Sequence, residues 1–230
     1  MENYKTIKLK RFSKDWWENV WYHYKFGITV GICVFVIIAI GVTQCAFQVA
    51  PDAVFTYIGS YKHFGETSGY VVEDMLGAAV PDFNGDGVGT VHSSTVFING
   101  SSGGEMYEIA LLELAGGQAV AFFMDKTYLE GSLYNEYADM SAWADEYGID
   151  ESLCIKDEHG GIVGIDLADN PLFADVQGLE PEGLYLVVRS LRDNDKSERD
   201  MEWYENGLEL ARYIASGGAY TPEGVPTEAQ

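Results

Sequence analysis

Apolar residues are distributed very differently at the start of the chain and in the rest of it. Residues 26–47 form an apolar run of 22 residues without one charged side chain. As an α-helix such a run is about 33 Å long, which matches the roughly 30 Å hydrocarbon core of a bilayer. The pattern therefore predicts a transmembrane helix at 26–47, with a short segment at 1–25, one domain at 48–218 and a mobile tail at 219–230.

After this run, short apolar stretches alternate with segments of helical periodicity. Several of the stretches lack polar alternation, as strands covered on both faces do. Strands are predicted at 53–58, 90–98, 118–124, 152–156, 162–167 and 183–188. Helices are predicted at 105–114, 132–147 and 201–215. This alternation predicts an α/β domain with a mostly parallel sheet covered by helices.

Charge divides the chain at the same place as the apolar run. The first 25 residues carry six basic and three acidic side chains, whereas the rest carries eight basic and 33 acidic ones, a formal charge of −25. Basic residues next to a membrane span are retained on the cytoplasmic side. We therefore expect a single-pass protein of the cell membrane with a cytoplasmic N-terminus and an extracellular C-terminal domain.

The flanks of the apolar run favour a retained anchor over a cleaved leader. A secretory signal peptide has an apolar core of about 7–15 residues and a small-residue cleavage site, which fit neither this run nor the residues after Ala46. A lipoprotein anchor at Cys45 is disfavoured by the bulky Gln44 before it. Aromatic residues that favour the headgroup region precede the run, namely Trp16, Trp17, Trp21, Tyr22 and Tyr24. These features predict a helix in lasting contact with membrane lipid.

Composition also restricts the partners of the protein. A domain at −25 repels nucleic acid and anionic lipid, so we expect no nucleic-acid partner and favour cations, neutral ligands or basic protein surfaces. Gly27 and Gly31 form a G-x-x-x-G pair that lets two membrane helices approach closely, which indicates a homodimer as one arrangement. Cys154 has no cysteine outside the span to pair with, so the fold does not depend on disulfides.

The string Pro-Asp-Phe-Asn-Gly-Asp-Gly-Val at 81–88 matches the first half of a calcium loop. Asp82, Asn84 and Asp86 stand at alternate positions, and the carbonyl of Val88 is the expected fourth donor. Ser93 stands where an EF-hand has its bidentate glutamate, so a remote acid such as Glu73 or Asp74 would have to complete a Ca²⁺ site. The alternative is a plain acidic turn, in which Asp and Asn side chains bond the local backbone.

A catalytic function is not predicted. Residues 100–104 fit the G-x-S-x-G string of a hydrolase, with Ser102 as nucleophile, but the one histidine that follows is His159 on a predicted hairpin tip. A capping box formed by Ser102 and Glu105 explains the same residues. We therefore expect a protein that is not an enzyme.

Several segments together resemble a known architecture. In chain order these are PDAVFTYIG, DFNGDG, LLELAGGQAVAFFMD, GIVGIDLADNPLF and GLYLVVRSLRDND. The order is similar to that of small membrane-anchored proteins of clostridia-like bacteria whose outer domain resembles a reduced periplasmic-binding-protein type II fold. The resemblance implies one lobe of a solute-binding protein, because the chain is too short for two.

The fold class predicts where a ligand would bind. In open α/β sheets, ligands bind in the crevice outside the carboxyl ends of the strands. The residues expected to line that crevice are Gly59, Ser60, Tyr61, Ser101, Ser102, Asp125 and Arg189. The resulting hypothesis is a membrane-anchored, extracytoplasmic binding or sensing module for a small ligand or a membrane-protein partner. The alternative is an accessory subunit of a larger membrane or envelope complex.

Overall fold

One helix accounts for most of the N-terminal part of the chain. In the computed structural model α1 spans Lys14–Ala46, and Ser13 Oγ accepts a hydrogen bond from the backbone N–H of Trp16 as its N-terminal cap. Among the residues described, α1 is the helix long and apolar enough to cross a membrane, by length and composition. It begins before the apolar run because the aromatic segment at 16–24 continues the helix.

The structure describes residues 10–46, 50–98, 103–130, 136–192, 195 and 197–222, without the side chains of 44–46, 66 and 103–105. Contacts divide the chain into two units, Met1–Val49 and Ala50–Gln230. The second unit has its own hydrophobic core, whose buried residues all lie between Ala53 and Ala215.

The second unit is an α/β domain. Its strands are β1 (Ala53–Gly59), β2 (Val91–Phe97), β3 (Ala121–Asp125), β4 (Cys154–Lys156), β5 (Ile162–Asp166) and β6 (Leu184–Val188). Its helices are α2 (Glu66–Gly77), α3 (Gly103–Gly116), α4 (Lys126–Glu130), α5 (Ser141–Tyr147) and α6 (Glu198–Ala215).

The six strands form one mixed sheet in the order β2-β1-β3-β6-β5-β4. β1 pairs in parallel with β2 and with β3, whereas the β3–β6, β6–β5 and β5–β4 pairs are antiparallel. The prediction of a mostly parallel sheet is therefore wrong. Parallel neighbours need a long crossover, which α2 and α3 supply, but a short hairpin joins β4 to β5 and the segment between β5 and β6 contains no α-helix.

Three helices were not predicted as the structure has them. The helix expected at 132–147 is shortened to α5, because residues 136–140 are not α-helical and Tyr137 forms a β-bridge with Arg189. Residues 131–135 lie outside the described part of the chain. No helix was predicted at 66–77 or at 126–130, where α2 and α4 form.

The four central strands are buried on both faces, as the continuous apolar runs predict, whereas the edge strands β2 and β4 are partly exposed. On one face α2, α5 and α6 cover residues such as Phe55, Tyr57 and Phe123. On the other face α3 and α4 cover residues such as Ile58 and Phe122. Because successive strand residues point to opposite faces, Phe122 and Phe123 belong to different halves of the core.

The two edge strands of the sheet differ in length and in charge. β4 has three residues and includes Lys156, whereas β2 has seven residues without Asp, Glu, Lys or Arg. On the outer side of β2, Glu73 accepts the backbone N–H of Ser93 at 2.6 Å. The described residues offer no hydrogen-bond acceptor to the outward N–H groups of Thr95 and Phe97. Short and charged edges resist pairing with other chains, so β2 is the open edge of this sheet.

The first residues of the predicted tail are packed against α6. The backbone N–H of Tyr220 donates to Ser216 Oγ at 2.9 Å, and the guanidinium of Arg212 lies 4.3 Å from the centre of the Tyr220 ring. Pro222 is buried. Residues 220–222 of the predicted tail thus contact the domain, and residues 223–230 lie outside the described part of the chain.

Candidate functional site

Three of the predicted crevice residues come together at the carboxyl ends of β1 and β3. Asp125 Oδ2 accepts the backbone N–H of Ser60 at 2.8 Å, and its Oδ1 accepts the hydroxyl of Tyr57 at 2.9 Å. An added Cβ at Gly59 would overlap with the Asp125 carboxylate and the Tyr57 hydroxyl. The place of Gly59, Ser60 and Asp125 beside one another thus agrees with the prediction from the fold class.

This cluster is filled by protein atoms. Asp125 is 6% exposed and both of its carboxylate oxygens accept protein hydrogen bonds. Burial, and then the negative charge of Asp125, raises the pKa of Tyr57 well above its ordinary value. Tyr61 turns away to stack on Phe97, with ring centres 3.9 Å apart. Ser101 and Ser102 lie outside the described residues. The cluster ties the end of β1 to β3.

Arg189 does not join this cluster, which corrects its predicted place. Strand β6 runs antiparallel to β3, and Val188 at its carboxyl end is paired with Ala121 at the amino end of β3. Arg189 therefore lies at the opposite end of the β3–β6 pair from Asp125. The prediction failed because it assumed that β6 points in the same direction as β1 and β3.

At that end of the strands, the side chain of Arg189 is almost fully buried, with 3% of the residue exposed. Its Nε donates to the carbonyl of Ala119 at 3.0 Å, and its Nη1 donates to Asp195 Oδ2 at 2.6 Å and to the carbonyl of Ser190 at 3.3 Å. These bonds use three of the five N–H donors of the guanidinium. Nη2 has no acceptor among the described residues.

A second arginine fixes the neighbouring backbone. Arg192 Nη1 and Nη2 donate to the carbonyls of Ala115 at 2.6 Å and Gly117 at 3.1 Å, at the carboxyl end of α3. Its Nε donates to Asp195 Oδ2 at 3.3 Å. Arg192 thereby satisfies carbonyls that the last turn of a helix leaves without partners.

A third arginine is not engaged. Arg199, in the first turn of α6, is exposed and forms neither an ion pair nor a hydrogen bond with any residue that the structure describes. Arg199 is permanently charged, and none of its five N–H donors bonds a described residue. The neighbouring Asp200 is used differently, since its backbone N–H and carboxylate bond the capping Ser197.

The three arginines line one cavity of about 610 Å³, here called the arginine cleft. Its lining residues are Ala50, Pro51, Ala115, Gly116, Gly117, Gln118, Arg189, Arg192, Asp195, Arg199, Asp200 and Trp203. The volume lies within the range of small-molecule sites, about 300–1,000 Å³. Three arginines against two aspartates make the lining formally positive inside a strongly acidic domain.

Burial shifts the ionisation of both members of the central ion pair. Burial lowers the pKa of the Arg189 guanidinium, although the Asp195 carboxylate opposes this effect. Burial alone would raise the pKa of Asp195, but hydrogen bonds from Arg189 and Arg192 outweigh it and hold that pKa below its usual range. The guanidinium of Arg189 is thus a desolvated cation whose charge an anion in the cleft would further compensate.

The predicted calcium loop is closed by its own hydrogen bonds. Asp82 accepts the backbone N–H groups of Gly85, Asp86 and Gly87 at 2.7–3.0 Å. The side chains of Asn84 and Asp86 accept the N–H groups two residues further on. These bonds fit an acidic turn, and carboxylate oxygens that accept one N–H keep a lone pair for a cation.

The acid expected to complete the calcium site is occupied elsewhere. Glu73 Oε1 accepts both the N–H and the hydroxyl of Ser93 on β2, at 2.6 and 2.7 Å. The base of the loop is held by Asp52, which is 1% exposed and accepts the N–H groups of Phe83, Asn84 and Thr90. Within the described residues no group of three His, Cys, Asp or Glu side chains could hold a metal ion.

The sequence missed Arg192, Asp195, Arg199 and Trp203 as site residues. One available signal was the concentration of basic residues, since half of the eight that follow residue 25 lie between 189 and 199. Asp193, Asp195 and Glu198 stand between these basic residues, so the local charge nearly cancels. His159, the candidate hydrolase base, is exposed at the β4–β5 hairpin, where it faces Glu158.

Comparison of the chain with protein-family models, with curated proteins and with solved structures gives no significant match.

Proposed function

We propose that the protein is a membrane-anchored, non-catalytic binding or sensing module whose outer domain takes a small anionic ligand in the arginine cleft. The single observation that carries the proposal is Arg189, a buried cation with two N–H donors on Nη2 that no described residue accepts. Guanidinium groups form strong charge-assisted hydrogen bonds with carboxylate and phosphate, and Nη2 of Arg189 keeps both of its donors for such a ligand.

The position of Arg199 supports the same ligand. It adds a second guanidinium to the same cavity. Unlike Arg189, Arg199 has no partner among the described residues. The residues that could neutralise the cleft are already used, because Asp195 accepts from Arg189 and Arg192. A carboxylate or phosphate is the complement of this surplus of donors.

The charge of the whole domain selects the size of the anion. At −25, the domain repels polyanions at long range, which keeps nucleic acid and anionic lipid surfaces away. A small anion with one or two charges is repelled less, and inside the cleft it meets cations at hydrogen-bond distance. The proposal thus extends the composition-based expectation of neutral or cationic ligands to small anions.

The walls of the cleft suggest how binding would be sensed. Ala50 and Pro51, the first two residues of the domain after the anchor segment, line the cleft. Asp52 and the carbonyl of Ala50 bond the 81–90 loop, through Phe83 N, Thr90 N and Asn84 Nδ2. A ligand in the cleft would therefore contact the segment that follows the membrane anchor directly.

The experiment is a thermal shift of the soluble 48–230 fragment with phosphate and with citrate. A ligand at ten times its Kd contributes about 1.4 kcal/mol, a rise in Tm of about 3–6 °C for a domain of this size. Arg199→Gln should abolish most of the rise without lowering the basal Tm, because Arg199 bonds no described residue. Arg212→Gln, on the same helix but bonded to Glu146 outside the cleft, is the control. No rise with either anion would contradict the proposal.

An accessory subunit of a membrane complex remains the second candidate, favoured by the open edge of β2. Unpaired backbone groups on an edge strand can accept a strand of another protein. This hypothesis predicts a stoichiometric membrane partner that Thr95→Pro releases, since proline removes the outward N–H. Thr95→Val is the control, and a partner retained by both variants would place the contact elsewhere.

A further inference from the structure

A second cavity continues the arginine cleft. It measures about 130 Å³ and is lined by Pro51, Asp52, Phe83, Asn84, Arg199, Glu202, Trp203 and Asn206. Pro51, Arg199 and Trp203 line both cavities. The two cavities therefore adjoin and are together called the groove, with Arg189 and Arg192 on one side of the shared residues and Asn206 on the other.

The far end of the groove holds a buried amide that pairs with none of the described residues. Asn206 is 8% exposed, and its side chain makes no hydrogen bond with any described residue. Buried amides usually find partners, as Asn170 does through Ile214 O and Leu172 N. No fully enclosed side-chain polar atom lacks a partner among the described residues, so the amide of Asn206 is reachable from the cavity that it lines.

Beside Arg199, the middle of the groove has an apolar wall. Trp203 Nε1 donates to the carbonyl of Gln118 at 2.8 Å, which fixes the indole in place, and Pro51 lines the same stretch. A fixed indole is a surface on which flat rings stack. A bare inorganic anion would occupy the arginine end and leave this stretch empty.

The far end rejects a second negative charge. Asp52 and Glu202 line the cavity that contains Asn206. An anionic group there would face two carboxylates, whereas a neutral group meets the donor and the acceptor of the Asn206 amide. The two ends of the groove therefore differ in charge. Arginines line one end, and Asp52, Glu202 and the neutral amide of Asn206 line the other.

We propose that the ligand is an organic oxyanion with a ring and a neutral amide-type edge: the carboxylate or phosphate binds Arg189 and Arg199, the ring packs on Trp203, and the edge pairs with Asn206. This inference rests on the proposed function, because it specifies the ligand class of the same cleft. It assigns Asn206, which the arginine cleft itself does not include, as the residue that selects the neutral end.

The experiment measures binding to the full chain in an uncharged detergent by calorimetry. Two probes carry all three features, uridine 5′-monophosphate with a phosphate and N-acetylphenylalanine with a carboxylate. Inorganic phosphate is the bare anion. Uridine and N-acetylphenylalanine amide are the uncharged counterparts. A preference between the two full probes identifies phosphate or carboxylate as the bound group.

The expected result is that at least one full probe binds about tenfold or more tightly than phosphate, and that its uncharged counterpart binds weakly. Asn206→Ala should weaken the full probe about three- to tenfold, the equivalent of one lost hydrogen bond, and leave phosphate affinity unchanged. Asn206→Asp should weaken the full probe further. Because Asn206 bonds no described residue, Asn206→Ala should keep a Tm near the unmodified value, which checks the fold. Asn206→Asp should lower the Tm, because it buries a carboxylate beside Asp52 and Glu202.

The outcomes separate this inference from the proposed function. If phosphate and the full probes bind equally and Asn206→Ala changes neither, the ligand class is wrong but the arginine cleft remains an anion site. If no anion binds the unmodified chain, the proposed function itself is overturned. Binding of the uncharged counterparts as tightly as the full probes also contradicts the inference.

Discussion

Arg189 Nη1 and Asp195 Oδ2 lie 2.6 Å apart in an ion pair whose side chains are only 4% and 11% exposed. The pair joins the end of β6 to the segment that leads into α6. Arg189 also lies beneath Tyr204 of α6, with 5.1 Å between the guanidinium carbon and the ring centre, and its carbonyl accepts the Tyr204 hydroxyl. One ion pair thus supports the floor of the arginine cleft and the attachment of the last helix.

Removal of the acid from this pair should destabilise the domain strongly. Asp195→Asn leaves the buried Arg189 cation without its counterion, a change that costs about 3–5 kcal/mol in comparable cases. Urea unfolding of the 48–230 fragment measures the loss. The matched control is Glu146→Gln, which breaks the ion pair of Arg212 at the surface, where both side chains are about a third or more exposed and such pairs contribute at most about 1 kcal/mol. Equal losses would mean that Arg189 does not depend on Asp195.

Alkaline conditions should weaken the domain through Tyr57. Burial, and then Asp125, raises the pKa of this tyrosine in the folded state, so the folded protein disfavours tyrosinate more than the unfolded chain does. The stabilisation is complete below the unfolded pKa of about 10 and is lost as pH rises above it.

The measurement is the free energy of unfolding between pH 8 and pH 11, compared with that of Tyr57→Phe. The variant should be less stable at pH 8 because Asp125 loses one hydrogen-bond donor, and its stability should fall less above about pH 10. Parallel curves for the two proteins would show that Tyr57 does not control the alkaline limb.

Calcium should stabilise the domain modestly if the 81–88 loop holds it. Asp82, Asn84, Asp86 and the Val88 carbonyl supply four of the 6–8 oxygens that Ca²⁺ takes, so an affinity of about 10⁻⁴–10⁻³ M is expected. Millimolar Ca²⁺ over a 10⁻⁴ M site gives about 1.4 kcal/mol. The Tm of the 48–230 fragment with Ca²⁺ and with chelator measures this, beside an Asp82→Ala, Asp86→Ala variant. Equal Tm values with Ca²⁺ and with chelator for the unmodified fragment would mean that the loop is an acidic turn that does not bind Ca²⁺.

The orientation of the chain in the membrane is tested by cysteine labelling in intact cells. In a background in which Cys33, Cys45 and Cys154 are replaced by serine, Ala219→Cys should react with an impermeant thiol reagent and Lys8→Cys should not. The expectation follows from the basic residues before the span, which remain in the cytoplasm. The opposite labelling pattern would reverse the proposed topology.

The strands were predictable because their residues are apolar on both faces. The runs at 53–58, 118–124 and 183–188 became β1, β3 and β6, and the hairpin at 152–167 became β4 and β5. Each of these predictions depended on neighbouring residues alone. The sequence pattern of a buried strand is the same whichever way the strand runs, so the pattern could not give the direction of β6.

The candidate site depended on that missing direction. Asp125 and Arg189 both come at or directly after the carboxyl end of a strand, and the rule for parallel sheets placed them together. Because β3 and β6 are antiparallel, Asp125 and Arg189 lie at opposite ends of the two strands. The arginine cleft also draws on Pro51, Gly117, Arg189 and Trp203, which are far apart in sequence and meet only after the sheet has formed.

The open edge of β2 acquires a different meaning in a domain of this charge. Net charge acts over about a Debye length, roughly 8 Å at physiological ionic strength and 3 Å in 1 M salt. Two copies at −25 each therefore repel before their uncharged edges can pair. This repulsion acts between whole domains and does not depend on the residues of β2. It weakens as salt is added or as the carboxylates are protonated. It does not exclude a basic strand. The acidity of the domain thus disfavours pairing of this edge with its own copies and favours a chain of opposite charge.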